Sequence, residues 1–324
     1  MTKGDCMINE KNLENILLKV EKPARYIGME QNSVIKNLKE VKVKFAFAFP
    51  DVYEVGMSHL GMHILYNLLN SQEDICCERV FAPWIDMEEE MKKENIPLYT
   101  LENKEPIRNF DFVGFTLQYE MSYTNIINML HLGNIPILSK DRTDEDPFVI
   151  AGGPCAYNPE PLAEIIDFFV IGEGEDVTLE ILDKYKVWKK SGHSKKEFLL
   201  QIAAIEGVYV PSFYDVSYNE DGTIHSMKPN QSGIKDKIKK RIIENLNDAY
   251  YPEKIIVPYI ETVHDRVVLE IFRGCTRGCR FCQAGMIYRP VREKNIERLI
   301  ELAEKLVKNT GYENISIFFY NLFI

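Results

Sequence analysis

The sequence predicts an α/β fold in which an open parallel sheet carries helices on both faces. Three observations lead to this prediction. Strand-like and helix-like segments alternate from about residue 41 to residue 190, and glycine-rich turns separate several of them. Apolar segments such as DFVGFTL (111–117) are short and continuous, as is typical of strands that are buried on both faces.

The predicted elements follow one another in a regular order. VKVKFAFAF (41–49) alternates with a period of two and predicts the first strand. Apolar residues at helical spacing predict a helix at 58–70, capped by Ser58, and a second helix at 83–96 that starts at Pro83. The remaining pattern predicts strands at 111–117, 147–153 and 169–174 and helices at 121–133, 161–168 and 175–190.

Ligands of parallel sheets bind at the carboxyl ends of the strands. The loops FPDVYEVG, LQYE, AGGPCAYNPEP and GEGED fall at these predicted ends. Their candidate binding residues are Asp51, Gly56, Gly152, Gly153, Gly172 and Gly174. Tight strand-to-helix turns need glycine whatever the ligand, so a structural role for these glycines stays open.

The pattern changes after residue 190. Residues 206–229 predict a hairpin with NEDG as its turn, and a proline-punctuated linker follows it. RVVLEIF (266–272) and NISIFFY (314–320) predict strands, and a helix between them ends before Gly311. Its predicted core-facing residues are Ile296, Leu299, Ile300, Ala303, Leu306 and Val307. We therefore expect a leader (1–38), a sheet domain (39–190), a hairpin and linker region (191–262) and a last domain (263–324).

Composition limits the classes of function. The hydrophobic fraction of 45% and the charged fraction of 27% are those of an ordinary globular protein. No signal peptide is recognisable, and no apolar segment reaches the roughly 18 residues of a membrane helix. These features favour a cytoplasmic protein without membrane contact. A net charge of −10 argues against coating nucleic acid by bulk charge, although the basic segment KIKKR leaves a local nucleic-acid role open.

Three of the seven cysteines lie within RGCTRGCRFCQAG, which begins at Arg273. Cys275, Cys279 and Cys282 are separated by three and then two residues. Clustered cysteines in a reducing compartment indicate a metal site or catalysis more than a disulfide. The other four cysteines, for which we expect ordinary small side-chain roles, are Cys6, Cys76, Cys77 and Cys155.

The number of local thiols bears on the kind of metal site. A structural zinc site needs four ligands, and the nearest histidine before the cluster is His264. A ferredoxin-type cluster also takes four thiolates, whereas three thiolates on a four-iron cluster leave one iron open to a substrate or cosubstrate. A distant fourth ligand would still allow zinc.

CTRGCRFC, with Phe281 before its last cysteine and a strand before the loop, resembles the signature of the radical S-adenosylmethionine (SAM) superfamily. The resemblance implies that Cys275, Cys279 and Cys282 hold a 4Fe-4S cluster whose open iron binds SAM. It implies reductive cleavage of SAM to a 5'-deoxyadenosyl radical by an electron from an external one-electron reductant, with an unknown substrate. Phe281 would pack near the adenine. Arg273, Arg277 and Arg280 would offset the negative charge of the cluster and the SAM carboxylate; simple surface solubility is the alternative for these arginines.

The resemblance extends from about Lys22 to Ile317 and is to radical SAM proteins with a cobalamin-binding-like, Rossmann-like N-terminal domain. Cobalamin is therefore an additional expected cofactor, with the six candidate residues of the sheet edge facing it. The usual Asp-x-His pattern is absent, because Tyr53 stands two residues after Asp51. His59 and His63 fall inside the predicted helix, so we expect cobalamin to bind without a histidine from this loop, and loss of cobalamin stays open.

The same resemblance implies that the last domain is the start of a radical SAM (β/α) partial barrel. Such barrels have about six β/α units, and we expect this chain to supply one and the start of another. The expected consequences are a chain that is unstable or inactive alone and a separately encoded remainder of the barrel. The competing hypotheses are a non-catalytic cobalamin- or partner-binding module with a structural metal site, and an inactive truncated product.

Overall fold

A computed structural model describes residues 8–319 of the chain, and side chains up to residue 317. The strands are β1 (Val43–Phe49), β2 (Ile75–Phe81), β3 (Phe112–Thr116), β4 (Phe148–Gly152), β5 (Phe168–Val170), β6 (Val208–Tyr209), β7 (Tyr214–Tyr218), β8 (Ile224–Pro229), β9 (Val267–Arg273), β10 (Arg292–Glu293) and β11 (Ile315–Phe319). The helices are α1 (Glu10–Leu17), α2 (Ala24–Ile27), α3 (Tyr53–Gly56), α4 (Leu60–Asn70), α5 (Ile85–Glu94), α6 (Tyr123–Leu132), α7 (Gly174–Trp188), α8 (Lys195–Ile202), α9 (Ala284–Ile287) and α10 (Ile296–Thr310).

The larger sheet has six strands in the order β2-β1-β3-β4-β5-β6. The first five strands are parallel, and β6 pairs antiparallel with β5. The α/β fold class predicted from the sequence, with its parallel sheet, is confirmed. Because these five strands run parallel, all five carboxyl ends lie at one edge of the sheet.

Helices cover both faces of this sheet, and alternate residues of each strand face opposite layers. Ala46, Val113 and Val149 pack with α1, α5 and α6 on one side. The other side presents aromatic rings, including Phe45 and Phe112, to α4, α7 and α8. Because both faces are buried, the strands are mostly apolar, with Glu78 and Arg79 of β2 as buried charged exceptions.

A second, three-stranded sheet has the order β10-β9-β11 and forms the last domain. β11 pairs parallel with β9, and α10 connects them across one face. Leu302 and Leu306 of α10 pack against Val267 and Leu269 of β9, together with Ile64 of α4. The β/α unit therefore packs against the helix layer of the larger sheet.

Several local predictions were wrong. Residues 161–168 form no α-helix; a 3-10 turn at Glu160–Leu162 replaces it, in a segment with prolines at 159 and 161. The N-cap of α4 is His59, not Ser58, whose hydroxyl donates to the carbonyl of Glu54. In α10, Ile296 and Ile300 are exposed instead of facing the core.

Some predictions concern the ends of the chain. The leader contains α1 and α2, and the side chain of Asn9 caps α1. Cys6 and the last five residues of the sequence lie outside the described residues. Within residues 8–319, no helix is long and apolar enough to cross a membrane.

Candidate functional site

A cavity of about 150 Å³ lies at the carboxyl edge of the larger sheet. Phe45 and Phe47 of β1, Ile150 of β4 and Ile64 of α4 form part of its apolar wall. Arg273, Ile287 and Tyr288 of the last domain also line it. The cavity is therefore bounded by the sheet domain and by both ends of the segment that carries the cysteines.

Four of the six residues predicted at the sheet edge line this cavity: Gly152, Gly153, Gly172 and Gly174. Asp51 and Gly56 are not among the described residues that line it. The carboxylate of Asp51 instead accepts hydrogen bonds from the Tyr119 hydroxyl at 2.8 Å and from the amide of Val52 at 2.7 Å. Gly56 packs closely against the ring of Phe81. The structure thus assembles part of the predicted set.

Gly172 shows why the turn after β5 needs glycine. Its φ is +115°, and a Cβ placed on it would lie 2.1 Å from the carbonyl oxygen of Arg241. Gly172 and Arg241 form an isolated parallel bridge. The turn therefore sets the cavity wall and ties residue 241 to the sheet.

His59 also lines the cavity, although the helical spacing of its surroundings concealed this position in the sequence. It lies before α4, and its Nδ1 accepts the amide N–H of Met62 at 3.2 Å. Burial lowers the pKa of His59 to about 4, against a weaker opposing effect of a hydrogen bond with Gln118. The imidazole is therefore neutral near pH 7, with Nδ1 as the acceptor.

The cysteine loop follows β9 directly. Cys275 and Cys282 are half-buried and Cys279 is exposed. The amide of Arg277 donates to the Sγ of Cys275 at 3.3 Å, and the amide of Cys282 donates to the carbonyl of Cys279 at 3.1 Å. Within residues 8–319, no three side chains of the His, Cys, Asp and Glu types are gathered about a common metal position. The thiols share one loop without converging.

The other residues predicted around the cysteines have different environments. Phe281 is 88% exposed, and Arg277 and Arg280 are also exposed. Arg273 is buried: its Nε donates to Glu270 at 2.7 Å and its Nη2 to Glu175 at 2.6 Å. The charge of Arg273 is thus balanced by carboxylates of the chain itself.

Arg273 belongs to a buried ionic network that joins the two sheets. Glu173 binds Arg292 at 2.7 Å, and Glu270 binds Lys294 at 2.7 Å. Burial acts to raise the pKa of Glu270, but Arg273 and Lys294 outweigh it and hold that pKa below its usual range. Glu173 and Glu175 belong to the predicted GEGED loop, but sequence reasoning assigned them no ionic partners because those lie about a hundred residues away.

Much of the basic segment KIKKR is engaged inside the chain. Lys240 donates to the carbonyl of Ile287 at 2.9 Å, and Arg241 pairs with Glu180. Lys239 lies 3.1 Å from a carboxylate oxygen of Glu206. These contacts reduce the positive charge that this segment presents to a nucleic acid.

Comparisons with known proteins bear on the sheet domain and on the chain as a whole. Residues 61–211 match the family described as radical SAM proteins, N-terminal. The uncharacterized protein MJ0966 of Methanocaldococcus jannaschii is 32% identical over 291 residues, which are 88% of this chain and 50% of that protein. The chain therefore spans half the length of this curated relative.

Two solved structures align with the chain at low sequence identity. The cobalamin-dependent S-adenosylmethionine radical enzyme OxsB, with aqua-cobalamin and S-adenosylmethionine bound, aligns with a TM-score of 0.48 and 14% identity, over 95% of this chain and 39% of OxsB. The radical S-adenosylmethionine methyltransferase TsrM from Kitasatospora setae aligns with a TM-score of 0.43 and 15% identity, over 85% of this chain and 47% of TsrM. With the family match added to the cysteine motif, the chain resembles radical SAM proteins in its sheet domain as well as in its cysteine loop.

Proposed function

We propose that this chain carries the cluster-binding loop and the cofactor-facing sheet domain of a radical SAM enzyme. One observation carries the proposal most directly: three thiols at the motif spacing follow a strand end, in a segment whose two ends border a cavity at the sheet edge. The family match of residues 61–211 supports the same assignment independently of the cysteines.

The donor set fits a four-iron cluster. Cys275, Cys279 and Cys282 are the residues that would hold it, and thiolates are the usual ligands of iron–sulfur clusters. An amide already donates to the Sγ of Cys275, and hydrogen bonds to ligand sulfur help to set the reduction potential of such clusters. When bound and reduced, a cluster with an open iron supplies one electron to the sulfonium of SAM.

The residues of the chain would bind and orient the cofactors. Arg277 and Arg280 place positive charge in the cysteine loop, next to the negative charge expected of a thiolate-bound cluster and a SAM carboxylate. The exposed ring of Phe281 is available to pack on the adenine, as predicted from the motif. We propose a cytoplasmic location, where an external one-electron reductant would supply the electron.

The chain spans half of its curated relative, so we propose neither the activity of a complete enzyme nor its substrate. We propose only the reaction class, hydrogen abstraction after SAM cleavage. A further polypeptide segment, carried by this protein or encoded separately, would supply the rest of a barrel and most of the substrate pocket.

The experiment that tests the cluster site measures iron and sulfide after anaerobic reconstitution. We expect about four of each per chain in the wild type. Alanine at Cys275, Cys279 or Cys282 should reduce the content by at least about half, because each removes one of three ligands. Cys155→Ala is the matched control, since Cys155 is a half-buried thiol that the proposal does not use.

Equal iron content in the ligand variants and in Cys155→Ala would contradict the cluster assignment. Bound zinc at about one per chain in the purified protein, lost in the same variants, would identify a structural zinc site instead.

We further propose that the cavity receives part of a cobalamin. Its position at the carboxyl edge is where open parallel sheets bind ligands, and four predicted glycines line it. A volume of about 150 Å³ is below the range of about 300–1,000 Å³ for whole small-molecule pockets. Only a portion of a molecule as large as cobalamin would enter, with the rest outside the opening.

Titration with hydroxocobalamin, followed by its visible spectrum and by filtration, tests this second proposal. Thr178→Phe should weaken binding at least about tenfold, because Thr178 lines the cavity and the added ring would fill it. Val187→Phe, at an exposed position of the same helix, should leave binding unchanged. Absence of wild-type binding at micromolar concentrations would contradict the proposal.

A further inference from the structure

The two ends of the cysteine segment are held by the sheet domain, whereas its middle is exposed. At the first end, Nη2 of Arg273 lies 2.6 Å from Oε1 of Glu175. Both side chains are buried, with 5% and 7% exposure. Glu175 is in the first turn of α7, so this contact joins the sheet domain to the last residue of β9.

The second end is fixed by contacts that do not include Glu175, although Glu173 also lies 3.6 Å from Arg273. Arg292 donates to Glu173 and also to the carbonyl of Ile243 at 2.6 Å. The hydroxyl of Tyr157 donates to the carbonyl of Ile287 at 3.0 Å, and Lys240 binds the same oxygen. The return of the segment to the sheet domain therefore does not depend on Glu175.

Arg273 is separated from Cys275 by one glycine in a restricted conformation. Gly274 has a φ of +95°, and a Cβ placed on it would lie 2.4 Å from the carbonyl oxygen of Pro290. The backbone cannot turn freely between the arginine and the first cysteine. A displacement of Arg273 would therefore reach Cys275 through one closely packed residue.

We propose that Glu175 is a positioning residue that holds Arg273 and thereby fixes Cys275, two residues after this cavity-lining arginine. The proposal rests on the proposed function, because it assigns this contact to the cluster-binding loop. Glu175 acts through Arg273 and touches none of the three cysteines. Since Glu175 and Arg273 both line the cavity, a molecule that enters it meets the contact that orients the first thiol.

Removing the carboxylate of Glu175 should affect the three thiols unequally. Glu270 still binds Arg273 in a Glu175→Gln variant, and an oxygen of Glu173 lies 3.6 Å from Nη1 of Arg273, so Arg273 keeps two other carboxylate partners. The start of the loop loses the charge on its shortest contact with α7, and opening of a locally held segment becomes more frequent. Cys279 lies in the exposed middle of the loop, where its accessibility does not depend on this contact.

The test measures thiol labelling in the metal-free, reduced protein. A maleimide is added in excess, and the labelling rate of each cysteine is followed by peptide mass spectrometry. Glu175→Gln should raise the rate at Cys275 at least about fivefold while Cys279 changes less than about twofold. Glu175→Asp keeps the charge on a shorter side chain and should give a smaller increase at Cys275.

Glu180→Gln is the matched control. Like Glu175, Glu180 lies in α7 and pairs with an arginine, in this case Arg241. Its side chain is more exposed and is not among the described ion-pair partners of Arg273 in β9. Labelling of Cys275 should stay at the wild-type rate in this variant. Circular dichroism confirms folding, and if Glu175→Gln does not fold, the comparison of Glu175→Asp with the wild type decides the question.

An unchanged Cys275 rate in a folded Glu175 variant would overturn the proposal. A uniform increase at all three loop cysteines would also overturn it, because that pattern indicates general loosening. The labelling is measured on metal-free protein, so its result does not depend on cluster assembly. A protein that fails to assemble a cluster would contradict the proposed function but not the role of Glu175. In reconstituted protein, the Glu175 variants should also shift the EPR spectrum of the cluster at equal iron content, whereas Glu180→Gln should not.

Discussion

His63 is a buried side chain whose protonation state is set by its surroundings. It lies in α4, and its Nε2–H donates to the carbonyl of Met57 at 2.8 Å. Burial lowers its pKa to about 4, with a smaller lowering effect from Arg79 and an opposing effect from the hydrogen bond to Met57. The imidazole is therefore neutral in the folded protein at pH values where an unfolded chain begins to protonate it.

Stability should consequently fall as the solution is acidified. Between the unfolded pKa of about 6.5 and the folded pKa of about 4, the unfolded state binds more protons, so the free energy of unfolding decreases as pH falls. The contribution of His63 across this window is on the order of 2–3 kcal/mol. Urea unfolding at pH 7.5 and pH 5 should show a smaller pH effect in His63→Gln than in the wild type.

The exposed His193 provides the control for this measurement. His193→Gln should retain the pH dependence of the wild type. If His63→Gln and His193→Gln lose the same stability between the two pH values, His63 is not the group that is responsible.

At the scale of single residues, the sequence was informative where chemistry is local. The spacing of Cys275, Cys279 and Cys282 and the aromatic before the last one are visible without any fold. The ion pair of Arg273 with Glu175 was not visible, because Glu175 lies 98 residues earlier and reaches Arg273 only through packing of the two sheets. His59 was missed for a related reason: helical spacing continued through it, whereas the helix begins one residue later.

At the scale of elements, α10 shows which features of a helix can be predicted. Its ends follow local signals, because the side chain of Asn295 caps the first turn and Gly311 adopts a left-handed conformation after the last. The buried face was predicted wrongly. Leu302 is fully buried although it was left out of the predicted face, and Ile300 is 55% exposed. Adjacent apolar rows around a helix do not reveal which row meets the sheet.

The difference between these two residues gives a prediction for stability. Leu302→Ala should reduce the free energy of unfolding by about 2–5 kcal/mol, because it removes buried methyl groups beside β9. Ile300→Ala, on an exposed part of the same helix, should change it by less than about 0.5 kcal/mol. Equal losses in urea unfolding would mean that α10 is rotated relative to the described packing.

At the scale of the whole molecule, the alternation of elements was sufficient to predict the parallel sheet and the edge at which its cavity lies. It was not sufficient to place the cysteine segment beside that edge. Contacts such as that of Tyr157 with the carbonyl of Ile287 join residues 130 positions apart. The cavity at the sheet edge thus has walls from two domains, and only the structure brings its glycines and the ends of the cysteine segment together.

The central claim is that three thiols of this chain hold a four-iron cluster with one iron open to SAM. EPR of the anaerobically reconstituted and reduced protein, recorded with and without SAM, tests it most directly. The account predicts a four-iron signal whose g-values change when SAM is added, and loss of this signal in Cys279→Ala. A four-iron signal that is unchanged by saturating SAM would contradict the claim of an open iron in this chain.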